Sequence, residues 1–190
     1  MNITELYPDA YTFARDAHAG QMRKYTGEPY IVHPVSVATT VLHVAGSTET
    51  MVMAALLHDV VEDCGIALAE IRSKFGFATS SYVDDLTKRD HLHPGWNRDR
   101  RKAYEAGRLS AVCAASQTIK LADLIDNTRS IVWGDRAFAA VYLKEKQTLL
   151  EESLLCGDPL LLKIAREQTE TALKILERWE EAFTPTAVAA

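Results

Sequence analysis

His58, Asp59, Glu62 and Asp63 stand in the run MVMAALLHDVVEDCG, residues 51–65, whose other positions are almost all aliphatic. On an α-helix, residues four apart lie on nearly the same face, so His58 stacks with Glu62 and Asp59 with Asp63. Val52, Met53, Ala54, Ala55, Leu56, Leu57, Val60 and Val61 leave little room for a wide solvated face. Unpaired charges in such surroundings cost several kcal/mol each. Three acids and one imidazole become tolerable if they surround a cation. The neighbouring His58 and Asp59 offer one nitrogen and one carboxylate, a mixture suited to manganese, iron or zinc. Two ligands do not complete such a site. The alternative is a helix end whose last turn faces solvent, which accounts for Glu62 and Asp63 but poorly for the His-Asp pair.

The anomaly recurs in TIKLADLIDNTRSI, where Asp123 and Asn127 lie four apart among Ile119, Leu121, Ala122, Leu124 and Ile125. His33, just before the helix-starting Pro34 in PYIVHP, offers a further imidazole from a fixed chain position. Together His33, His58, Asp59 and Asp123 make a four-ligand set.

The elements that must position these residues read as helices throughout. No segment alternates as a strand bounded by hairpin turns, so the fold class is all-α. The punctuation places a first helix from Pro8 towards His18, with Gly20 beyond it. A second runs from Pro34 to Gly46. Ser47 or Thr48 caps a third, which continues through Asp63 to Gly65. Shorter helices follow in ALAEIRSKFG and SSYVDDLTK, then a loop containing HLHPGW, a helix from Arg98, and one through SQTIKLADLIDNTRS. Two amphipathic helices joined by CGDP at 156–159 close the chain.

With 190 residues, 47% of them hydrophobic, the chain suits one globular domain, residues 1–183, followed by a frayed tail, residues 184–190. The sequence offers neither a membrane span nor a signal peptide, so the expected compartment is the cytoplasm. Cys64, Cys113 and Cys156 are too scattered for a disulfide framework or a zinc knuckle and read as small buried apolar residues. A net charge of −5 argues against a nucleic-acid binder that relies on overall charge, so any phosphate ligand needs a local basic cluster.

One such cluster is residues 88–108, where Lys88, Arg89, Arg98, Arg100, Arg101, Lys102 and Arg108 face only Asp90, Asp99 and Glu105. It reads either as a phosphate-facing lid or as an ordinary solvated helix face. His91 and His93 lack a convincing ligand set for a second metal. His18 and His43 read as packing or hydrogen-bonding residues.

These residues resemble the HD superfamily of metal-dependent phosphohydrolases. The segments AHAGQMRKYTGEPYIVHPVSVA, AALLHDVVEDCG, FGFATSSYVDDLTK and IKLADLIDN narrow the resemblance to the hydrolase domain of RelA/SpoT-type alarmone enzymes, over roughly residues 10–130. The resemblance implies an HD-domain helical bundle, with His33, His58, Asp59 and Asp123 as ligands of a divalent metal, usually Mn2+. It implies Glu62 and Asp63 as the acidic pair for water activation and proton transfer. It further implies substrate contacts from Arg23 and Lys24, which would stack on the base and hold phosphate, from Asn127, and from Tyr142 beside the nucleoside. The implied reaction removes pyrophosphate from the 3′ position of a guanosine 3′,5′-polyphosphate, a small nucleotide, with neither nucleic acid nor membrane as partner. Two alternatives stay open: an HD phosphohydrolase acting on another nucleotide (NADPH, ppApp, or a nucleoside mono- or triphosphate), and a non-catalytic nucleotide-binding regulator.

Overall fold

Prolines, side-chain caps and left-handed glycines divide the chain as the punctuation suggests. The computed structural model describes residues 2–89 and 92–183, with backbone alone for 180–183. Its described elements are helical, apart from one isolated antiparallel bridge between Met22 and Pro29. The expected tail, residues 184–190, and His91 lie outside the described residues.

Two helices open the chain, α1 (Ile3–Leu6) and α2 (Pro8–Ala17). Pro8 occupies the first turn of α2, where a missing N–H leaves no bond unmade. The chain then folds back on itself. Arg23 N–H donates to Glu28 O at 2.8 Å, Tyr30 N–H to Gln21 O at 2.9 Å, and Gly27 takes the positive φ of 68° that the turn requires. This loop delivers Arg23 and Tyr30 to the start of α3 (Val32–Leu42). That helix begins two residues earlier than Pro34. Proline is tolerated there because N–H groups of the first turn have no intrahelical acceptor. His33 is therefore carried by the helix itself.

Thr48 caps α4 (Glu49–Leu57), its hydroxyl accepting from Met51 N–H at 3.3 Å. The single helix expected through Asp63 is in fact divided. His58 and Asp59 form a turn, and α5 (Val60–Cys64) follows, ended by Gly65 at φ 69°. Ala55 O, the acceptor that a continuous helix reserves for Asp59 N–H, instead faces His58 Nδ1 at 2.8 Å. The metal-type pair thus sits at a helix joint. Next comes α6 (Leu68–Leu86), broken at Gly76, whose φ of 85° and ψ of 170° are not helical, so the segment is two shorter helices joined at a kink, as expected.

The second half comprises α7 (Arg98–Ala111), α8 (Ala114–Gly134), α9 (Arg136–Glu152) and α10 (Pro159–Phe183). Asn97, Asp135 and Asp158 each accept a backbone N–H at the start of α7, α9 and α10. The central element is α8, which packs against α3, α4, α6, α9 and α10. Ile119, Leu121, Ala122, Leu124 and Ile125 of α8 are buried in the main core with Val37, Val41, Leu56, Leu57 and Ile71. A second cluster, Ile131, Val132, Ala139, Leu143, Ala172 and Leu176, joins α8 to α9 and α10.

The cysteines correct the sequence reading. Cys113 and Cys156 are exposed and Cys64 is half-buried. They occupy an N-cap position, an interhelical turn and the last residue of α5, where the chain reaches the surface. Among the described residues, no helix is long and apolar enough to cross a membrane.

Candidate metal centre and its cavity

Three separate helical regions bring their polar side chains to one point. His33 comes from the first turn of α3, His58 and Asp59 from the α4–α5 joint, and Asp123 from the middle of α8. His33 Nε2 lies 3.2 Å from Asp123 Oδ1 and 3.6 Å from Asp59 Oδ2. His58 Nε2 lies 3.0 Å from Asp59 Oδ2 and 3.9 Å from Asp123 Oδ1. Donor atoms of His33, His58 and Asp59 lie within 4.8 Å of one another, a spacing able to hold one ion.

Each imidazole is aimed by its other nitrogen. Asp126 Oδ2 stands 2.7 Å from His33 Nδ1, and Ala55 O stands 2.8 Å from His58 Nδ1. Such partners take the Nδ1 proton and leave an Nε2 lone pair facing inward, the tautomer a metal ligand needs. His58 Nε2 is buried and makes no hydrogen bond, although Asp59 is beside it. Two groups adjacent without bonding each other suit a pair of ligands to a shared ion.

The carboxylates are held as well. Tyr30 donates its hydroxyl to Asp59 Oδ2 at 2.7 Å. Lys120 Nζ and Asn127 Nδ2 donate to Asp123 at 2.7 and 2.5 Å. Ser36 and Arg23 each donate to Asp126 at 2.6 Å. Burial alone would raise these carboxyl pKa values. The Lys120 charge and the two histidines overcome it at Asp123, and the His58 contact does so at Asp59, holding both well below the usual range. Burial also acts against Asp126, but bonds from His33, Ser36 and Arg23 bring it down to about 2. At His33, burial opposes protonation, yet the Asp123 and Asp126 bonds push the pKa up to about 9. Burial likewise opposes protonation of His58, and Asp59 and Asp123 outweigh it. Without an ion, the raised pKa values of both imidazoles favour the positive charge that the acids require.

The centre opens into a cavity of about 830 Å³. His58, Asp59 and Asp123 form part of its wall, and Glu62, Asp63, Asn127 and Tyr142 line it too. Glu62 is bridged to Lys88 Nζ at 2.5 Å. Burial, followed by the charges of Asp59 and Glu62, raises the pKa of Asp63. The basic segment contributes Lys88, Arg98 and Lys102 to the same wall, so residues of α7 form part of it.

Arg23 and Lys24 are placed differently from the other site residues. Neither lines the cavity. Arg23 lies behind His33, bound to Asp126 and, at 3.1 Å, to Ser130 Oγ. Lys24 Nζ sits 4.9 Å from the Tyr25 ring centre and 5.8 Å from that of Phe138, itself a cavity residue. His93 stacks on Trp96 with centroids 3.8 Å apart. His18 and His43 hydrogen-bond to Gln21 and to Thr39 O, in keeping with their reading.

Sequence reasoning missed Tyr30, Asp126, Lys120 and Lys146. Tyr30 and Asp126 stand within the quoted motifs, and Lys120 and Asp126 are each three residues from Asp123. The i,i+3 companions of the second stripe were the available signal. Lys146 carried none.

The HD domain family model matches residues 10–149. A guanosine-3′,5′-bis(diphosphate) 3′-pyrophosphohydrolase of Vibrio cholerae is 35% identical over 174 residues, covering 90% of this chain and 23% of that protein. The bifunctional (p)ppGpp synthase/hydrolase SpoT of Escherichia coli K12 is 33% identical over 169 residues, 88% of this chain and 23% of that protein. The chain thus spans less than a quarter of the length of these curated relatives. A solved structure described as a metazoan ortholog of SpoT superposes with a TM-score of 0.67 at 23% identity, over 92% of this chain and 94% of that one, a likeness of fold. The Listeria monocytogenes EGD-e protein lmo0812 superposes with a TM-score of 0.64 at 26% identity, over 80% of this chain and 99% of that one.

Proposed function

The chain belongs to the HD domain family, and from that premise we propose that it is a metal-dependent hydrolase that removes pyrophosphate from the 3′ position of guanosine 3′,5′-bis(diphosphate)-type nucleotides. The observation that carries the reading is the convergence of His33, His58, Asp59 and Asp123, with both Nδ1 atoms occupied and both Nε2 atoms turned inward. The names of the Vibrio and Escherichia relatives supply the substrate.

We assign a divalent ion, Mn2+ in the first instance, to these four residues, because two imidazole nitrogens and two carboxylates suit a borderline first-row metal. When bound, it supplies acidification of water and neutralisation of phosphate charge. The remaining work belongs to side chains. Asp126 and Ala55 O hold the imidazoles, and Lys120 and Asn127 fix Asp123.

Water attacks the 3′-linked phosphorus, its proton passing to Glu62, whose carboxylate Lys88 keeps in place. The bond from phosphorus to O3′ breaks as the new P–O bond forms. Asp63, whose pKa burial and the charges of Asp59 and Glu62 raise, relays the proton taken up by Glu62 to the departing O3′. Arg23 steadies Asp126 behind His33 and Lys24 stands beside Phe138 at the edge of the cavity, so the substrate contacts fall to side chains that line it, Asn127 and Tyr142 among them. The reaction is assigned to the cytoplasm.

A product assay with Mn2+ tests the reading against ppGpp, pppGpp, ppApp, NADPH, dGTP and simple monophosphates. The expected result is release of pyrophosphate from ppGpp and pppGpp well ahead of the other compounds. Turnover confined to NADPH or to dGTP would assign the site to a different nucleotide.

A further inference from the structure

Among the described residues lining the cavity, the cations are Lys88, Arg98, Lys102, Lys120 and Lys146. The first four are matched to carboxylates. Lys88 pairs with Glu62 at 2.5 Å and Lys120 with Asp123 at 2.7 Å, while Arg98 and Lys102 reach Glu145 at 2.5 and 3.1 Å. Lys146 is different. Its ammonium donates to Thr128 Oγ1 at 2.8 Å and Gln168 Oε1 at 3.1 Å, both neutral, which leaves one of its three hydrogens without a partner. The residue is only 1% exposed.

One turn earlier on α9, Tyr142 lines the same cavity, and its hydroxyl is buried beside Thr128 without a hydrogen bond of full geometry. Residues four apart on a helix are surface neighbours, so both donors serve one region. Stability gives no reason for this pair. A buried ammonium without a counter-ion is costly, and an apolar side chain of similar volume fills such a place better. Burial draws the Lys146 pKa down to about 7, outweighing the pull of Asp123, whose carboxylate is already paired with Lys120. A ligand that brings negative charge supplies the missing partner.

We infer that Lys146 and Tyr142 form a subsite for the phosphate group that the metal centre does not hold, the 5′-phosphate end of the nucleotide. The inference deepens the function proposed above and rests on it. A bis-diphosphate has two anionic ends, and a centre of four ligands engages one. At the other end, Lys146 can take a phosphate oxygen without breaking an ion pair, and Tyr142 adds a neutral donor. A nucleobase would import no charge and would leave the ammonium uncompensated.

The probe is GDP, which carries a 5′-diphosphate and nothing at the 3′ position. Calorimetric titration of the full chain compares wild type with K146Q, K146M and Y142F, with guanosine as the uncharged control. Both Lys146 variants are expected to weaken GDP binding on the order of 10- to 100-fold, the range for a lost charge-assisted hydrogen bond. Y142F should weaken it several-fold, and guanosine affinity should stay constant in K146Q and K146M. The thermal midpoint of K146M should equal or exceed that of wild type. K146Q keeps polar reach towards Thr128 and Gln168, so it carries the test if K146M does not fold. GDP affinity unchanged in K146Q overturns the inference, and so does an equal loss for GDP and guanosine. Because no turnover is read, either result leaves the hydrolase assignment untouched. A failed product assay would remove that assignment while the GDP contrast stands.

Discussion

Arg23 and His33 share one carboxylate oxygen: Asp126 Oδ2 lies 2.6 Å from Arg23 Nη1 and 2.7 Å from His33 Nδ1. A loop residue thereby fixes the orientation of an imidazole at the centre without touching it. Partners behind a metal ligand typically govern affinity by about 10- to 100-fold. R23A and D126N should each weaken Mn2+ binding by about that factor, and the double variant should lose less than the product of the two. Metal titration decides. Unchanged metal affinity with a raised KM would instead place Arg23 on the substrate alone.

Asp59 is held by Tyr30 in the same manner, at 2.7 Å. D59A should lose the metal and hydrolysis together. Y30F, which deletes one charge-assisted hydrogen bond and leaves the ring, should reduce metal affinity by about tenfold. Elemental analysis of the purified variants checks both. A D59A protein that retains wild-type metal content would remove Asp59 from the ligand set.

Glu62 and Asp63 lie next to the ligands yet outside them, so chemistry and metal binding should separate there. E62Q keeps the volume but cannot accept a proton, and kcat should fall by about 10²- to 10⁴-fold with metal content intact. D63N should also keep the metal and lose turnover. Single-turnover rates at saturating Mn2+ are the appropriate measurement. A full rate in E62Q would move the base elsewhere.

The raised pKa of His33, about 9, predicts two opposite pH trends. In the metal-free protein the folded pKa exceeds the unfolded value near 6.5, so its contribution to stability is complete below about pH 6.5. It is lost as pH rises through about 9. Metal requires the neutral imidazole, so affinity should rise across the same window, with a proton released on binding near pH 7. Denaturant unfolding of chelator-treated protein gives the first trend, and titration in buffers of differing ionisation enthalpy gives the second. Binding at pH 7 with no proton release would show His33 already neutral.

The sequence by itself determined the helices and the chemistry-bearing residue types. Pro8, Thr48, Gly65 and Asn97 act within a turn of their own positions, so their effects are local and legible. The cost of burying His58, Asp59 and Asp123 was visible because aliphatic neighbours surround each in the chain. Tertiary structure decided what these residues face. The joint at His58–Asp59, the position of Arg23 behind His33 and the exposure of Cys113 and Cys156 depend on groups distant in sequence or on where a helix end meets the surface. Lys146 is the clearest instance. On its own helix it closes the charged run LKEK, where nothing marks it for burial, but packing of α9 against α8 and α10 encloses it beside Thr128 and Gln168. Helical periodicity records the face of one helix, whereas burial of an ammonium is set by the other helices packed against that face.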